Sequence, residues 1–95
     1  MIEVTRCDRC ITVTGHAKYA PPGQDIVCAS VSVLAQSLIA SIEELTADSI
    51  DYEIEHGNIY INYRNLSEEA QLLVSSFFIG VNGVAAAYPN HVKIN

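Results

Sequence analysis

Cys28 and His16 are the residues whose types and spacing can do nucleophilic chemistry in this chain. A cysteine thiolate attacks an acyl carbonyl directly. A histidine within hydrogen-bond reach takes the thiol proton and later protonates a leaving amine. Cys28 stands three residues after Asp25, a good helix N-cap, so it falls in the first turn of the helix that follows. Unpaired backbone N–H groups and the positive end of the helix dipole gather there. They favour the thiolate, and the same amides are expected to hold an oxyanion during attack on a carbonyl. His16 follows Gly15 at the end of a strand-like segment. About ten residues join it to the helix start, short enough for both to meet at one edge of a fold. Each residue taken alone also has a plainer reading. Cysteine is a common small buried residue, and an isolated loop histidine is an ordinary surface group.

The elements that must position this pair follow from periodicity. Ile2 to Cys7 and Cys10 to Thr14 read as a hairpin with Asp8-Arg9 at the turn and Val4 opposite Val13. Gly15 to Gln24 carries Pro21, Pro22 and Gly23 and reads as a loop, with the option of acting as a lid. After Asp25, residues Val27, Val31, Leu34, Leu38, Ile42 and Leu45 keep helical spacing. Ile50, Tyr52 and Ile54 alternate with acids, and Ile59, Ile61 and Tyr63 alternate beyond a His56-Gly57 turn. That register pairs Ile54 with Ile59, Tyr52 with Ile61 and Ile50 with Tyr63, giving one apolar face. Ser67 followed by Glu68 and Glu69 opens a second helix running through Leu73, Val74, Phe77, Val81 and Val84. Leu72, Phe78 and Ile79 make it apolar on more than one side, as in a deeply buried helix or one at a subunit interface. Gly80 and Gly83 permit either close packing or a kink. Pro89 stops the helix, and His91 to Ile94 reads as a last strand. The order β-β-α-β-β-α-β is an α+β domain, a mixed or antiparallel sheet with two packed helices.

With 95 residues the chain is read as one domain, residues 1–95. A composition 49% hydrophobic and 17% charged fits a folded globule. A net charge of −6 with five Lys plus Arg is too little cation for a phosphate-binding face, which argues against nucleic acid. The N-terminal residues lack a signal-peptide pattern, and no uninterrupted apolar run reaches the roughly 18 residues of a membrane span. The expected location is the cytoplasm, where three cysteines would stay reduced.

The spaced set Gly15-His16-Ala17, then Gly23-x-Asp25-Ile26-Val27-Cys28-Ala29, then Ser32, closely resembles the Prp family of ribosomal-processing cysteine proteases. Element order and length agree over nearly the whole chain. The resemblance implies an endopeptidase with a Cys-His dyad that trims an N-terminal extension from a large-subunit ribosomal protein, number twenty-seven. It implies Cys28 as nucleophile, His16 as base, a homodimer and no cofactor. Gly15, Asp25 and Ser32 match further family positions as supporting or substrate-binding residues. Asp25 reads first as a helix cap, with orientation of the loop or of His16 as a second role. Ser32 lies one turn after Cys28 on the same helix face. A small metal-binding protein using Cys7 and Cys10 is one alternative, and two others remain open at this stage. One is a phage or prophage capsid-processing peptidase of the same fold. The other is a non-enzymatic, ribosome-associated dimeric module.

Cys7-Asp8-Arg9-Cys10 is a CxxC pair without a second pair, short of the four ligands of a structural zinc site. It does not open a helix as redox pairs do, and reads as two thiols facing across a hairpin. His56 and His91 read as isolated. The acids from Glu43 to Glu55 read as a solvated face able to attract a basic protein.

Overall fold

The computed structural model describes residues 1–95. Strands β1 (Ile2–Arg6) and β2 (Cys10–Thr14) pair antiparallel with Val4 opposite Val13, the expected register. Between them, Cys7 and Cys10 are joined as a disulfide, which corrects the reading of two free thiols. The Cys7 N–H donates to the Cys10 carbonyl at 2.9 Å, and the turn brings the two Cα atoms to 4.9 Å. That separation lies in the range a disulfide bridges. The hairpin that sets the two sulfurs face to face, as expected, is also what lets them bond.

Helix α1 (Ile26–Leu45) starts at the Asp25 cap. It buries Val27, Val31, Ala35, Leu38, Ile39 and Ile42. Leu45, expected on this stripe, is 70% exposed because the last turn passes the edge of the core. Strands β3 (Asp51–Glu55) and β4 (Asn58–Asn62) pair with Ile54 opposite Ile59 and Tyr52 opposite Ile61. The ladder ends at Asp51 and Asn62, so Ile50 and Tyr63 lie just outside it. Both still pack against the core. Helix α2 (Glu68–Ala87) starts at Ser67, whose hydroxyl accepts the Ala70 N–H at 3.2 Å. Gly80 lies against Leu34 of α1, where an added Cβ would meet Cδ2 at 3.0 Å. Close packing, with α2 continuous through Gly80, is therefore its use. Tyr88 closes α2, and β5 (Val92–Ile94) follows, parallel to β1.

The sheet order is β3-β4-β2-β1-β5. Alternate residues of the central strands, Ile2, Val4, Ile11, Val13, Ile59 and Ile61, join the buried stripes of both helices in a single core. Burying one valine or isoleucine contributes roughly 1.5–3 kcal/mol. One such residue outweighs the cost of about 1 kcal/mol for Gly80 within a helix. On the edge strand β3 the apolar face lies beyond the helices: Tyr52 is 43% and Ile54 49% exposed. On α2, Leu72 and Ile79 are also exposed, so this helix is not buried all round. The expectation that no segment suits a membrane also changes. By length and composition alone α1 and α2 could each span one. In the fold each buries one stripe against the sheet instead.

Candidate active site

The backbone between β2 and α1 is held at successive residues. Gly15 leaves β2 with φ +91°, a conformation that favours glycine, and a Cβ there would collide with the Met1 carbonyl. Its N–H donates to Asn58 Oδ1 at 3.1 Å. His16 follows, exposed, with its ring against the β3–β4 turn. A Cβ on Gly57 would lie 3.2 Å from His16 Cε1. His56 and Gly57 both have positive φ, 42° and 86°, as a two-residue type I′ turn requires. The hairpin turn therefore serves as a shelf for the imidazole.

Ala17 connects this histidine segment to the cysteine. It is buried, and its N–H donates to Cys28 Sγ at 3.4 Å. A donor aimed at sulfur stabilises negative charge on it. The Ala17 carbonyl accepts from His91 Nδ1 at 2.9 Å.

Asp25 both caps the helix and holds the loop. Its Oδ1 accepts the N–H groups of Val27 and Cys28, each at 3.0 Å. Its Oδ2 accepts those of Tyr19 at 2.9 Å and Ala20 at 3.3 Å. The Cys28 amide is the main reason its carboxyl sits below the usual aspartate range. Partial desolvation opposes this, and the Ala20, Tyr19 and Val27 amides reinforce it. The expected oxyanion role of the helix amides needs correction here. The Val27 and Cys28 N–H groups are already bound to Asp25.

One cleft of about 650 Å³ brings all five sequence-selected residues together: Gly15, His16, Asp25, Cys28 and Ser32. Ser32 Oγ accepts from Gln36 Nε2 at 2.9 Å on the cleft wall. Apolar residues of β1, β2 and β4 (Ile2, Val13 and Ile59) line its sheet side, and Lys18, Ala20, Pro22 and Gly23 supply the loop side. A half-buried thiol, a histidine and an open, largely apolar cleft suit acyl transfer on an extended chain.

The family described as cysteine protease Prp matches residues 1–93. The chain belongs to this family. The family is one of cysteine proteases, hydrolases acting on peptide bonds. Two relatives are each a ribosomal processing cysteine protease Prp. That of Staphylococcus aureus is 26% identical over 90% of this chain and 83% of its own length. That of Mycoplasma genitalium is 27% identical over 100% of this chain and 95% of its own length. In fold, the chain matches the S. aureus ribosomal processing protease Prp solved with a covalently linked product peptide. There the TM-score is 0.90 at 24% identity, covering 99% of this chain and 95% of the other.

Three neighbours of the site escaped the sequence reading. In sequence Gly57 reads only as part of a turn, Asn58 stands out in no pattern, and His91 reads as isolated. They reach residues 15–17 from 41 or more positions away along the chain, and only the sheet order brings them there. Periodicity could not reveal them. The Gly after His56 signalled the turn but not what rests on it.

Proposed function

We propose that residues 1–95 form one peptidase domain in which Cys28 is the nucleophile and His16 the general base. The observation that carries this is the Ala17 amide on Cys28 Sγ, which ties the residue after His16 to the sulfur within one cleft. His16 takes the thiol proton, and the sulfur bonds to the scissile carbonyl carbon. The tetrahedral adduct collapses as His16 protonates the amine and the C–N bond breaks. Water then attacks the thioester, giving its proton to His16, and the carboxylate product leaves as the thiol is restored. Gly15 sets the exit of the chain from β2, Asp25 fixes the loop and the helix start, and Ser32 lines the substrate wall.

The substrate we propose is a large-subunit ribosomal protein, number twenty-seven, with an N-terminal extension. The relatives' shared role as ribosomal processing proteases supports this, and a basic protein suits a chain of net charge −6. The working form is a cytoplasmic homodimer, with the exposed Leu72 and Ile79 face of α2 available to a second copy. No cofactor enters the scheme. Incubation with that ribosomal protein tests the reading. Wild type releases the extension as a discrete peptide, and Cys28→Ala, folded by circular dichroism, does not. Equal cleavage by Cys28→Ala would contradict it.

A further inference from the structure

His16 sits between two anchored neighbours, and the second anchor is His91. Asn58 holds Gly15 on one side, and His91 Nδ1 holds the Ala17 carbonyl on the other. A carbonyl can only accept, so this nitrogen carries the proton. The ring is presented from a fixed base. The His91 N–H donates to the Tyr88 carbonyl at 3.0 Å, and its own carbonyl accepts the Ile2 N–H at 2.9 Å. Tyr19, on the loop, packs edge-on against both His91, 5.4 Å between centroids, and Tyr88, 5.3 Å. The turn between α2 and β5 thereby grips the loop at Ala17 and again at Tyr19. Ala17 is the residue whose N–H reaches Cys28 Sγ. One peptide segment thus links the His91 ring to the sulfur.

We propose that His91 is a positioning residue for the dyad: its Nδ1–H bond to the Ala17 carbonyl sets the placement of the Ala17 amide on Cys28 and of His16 beside it. This rests on the Cys28–His16 reading above. The bond acts through Ala17 on the reacting groups, so its loss lowers kcat and leaves KM nearly unchanged.

The test compares three variants and the tautomer. In His91→Phe the ring edge against Tyr19 remains but the donor is gone. Small misplacements of reacting groups are costly, so kcat falls about ten- to a hundred-fold, with KM within about two-fold. Alkylation of Cys28 by iodoacetamide slows in parallel. In His91→Asn the side-chain nitrogen stands the same number of bonds from Cα as Nδ1, and most of kcat returns. Wild-type kcat in His91→Phe, or equal impairment of the Phe and Asn variants, would overturn the proposal. Nitrogen-15 spectra of wild-type imidazoles provide a check that needs no variant to fold. A neutral His91 protonated at Nδ1 supports the proposal, and one protonated only at Nε2 overturns it. Cys28→Ala separates the two readings. Cleavage surviving in it would overturn the dyad itself. Its normal loss beside a fully active His91→Phe would overturn only the positioning role.

Discussion

Asp25 Oδ1 accepts the backbone N–H of Cys28 at 3.0 Å, so the amide of the cysteine in the cleft is tied to the residue that starts its helix. The same carboxylate holds Tyr19 and Ala20, and one side chain therefore couples the loop to the helix. Replacing it loosens both. Asp25→Ala lowers Tm by roughly 5 °C, as loss of a helix cap does in a domain of this size. It also lowers kcat/KM, because loop and helix start no longer share an anchor. The stabilisation has a defined pH sign. The folded carboxyl is held below its ordinary range, so its contribution is fully present above about pH 4. It fades as pH falls through the lower folded value. The Tm gap between wild type and Asp25→Asn, followed by calorimetry, is widest near neutrality and closes in acid.

Gly57→Ala tests the shelf under His16. Its positive φ disfavours any Cβ by about 1–2 kcal/mol. The added methyl would also lie 3.2 Å from the imidazole. Steady-state cleavage by the folded variant shows kcat down about ten-fold, an effect of ring displacement. Unchanged kcat would mean that the turn does not position His16.

Asn58 supplies the acceptor for Gly15 across the sheet. Asn58→Ala leaves that N–H without a partner and costs about 1 kcal/mol in a denaturant titration. Asn58→Asp keeps an acceptor at the same position and recovers most of that stability.

The Cys7–Cys10 disulfide lies at the turn opposite the end of β2 that leads into the site. It closes so short a loop that chain entropy gives roughly 2 kcal/mol at most. Reduction with dithiothreitol, or the double change to serine, lowers Tm by several degrees, and cleavage continues at the wild-type rate. Thiol counts under denaturing conditions check the starting state: one free thiol, from Cys28, before reduction and three after.

The legible parts of the fold are those governed by local rules. The Asp25 and Ser67 caps, the type I′ turn at His56-Gly57 and the Val4–Val13 register each follow from neighbours close in sequence. The exposed side of β3 was not legible. Tyr52 and Ile54 alternate as core residues do, but whether helices cover them depends on the width of the other layer. In the site, the positions of Gly15, His16, Asp25, Cys28 and Ser32 were readable from spacing and resemblance, and the structure puts them around one cleft. The use of the Cys28 amide by Asp25 was not, because a cap satisfies the same N–H groups that an oxyanion would need.

The most direct measurement is the proportion of activity lost per thiol modified. Iodoacetamide is added to the disulfide-intact protein, and carbamidomethylation is located by peptide mass spectrometry while cleavage is assayed in parallel. The account predicts a single modified residue, Cys28, with activity falling in step with its modification and His16→Ala reacting more slowly. Protein fully modified at Cys28 that still cleaves at the wild-type rate would contradict it.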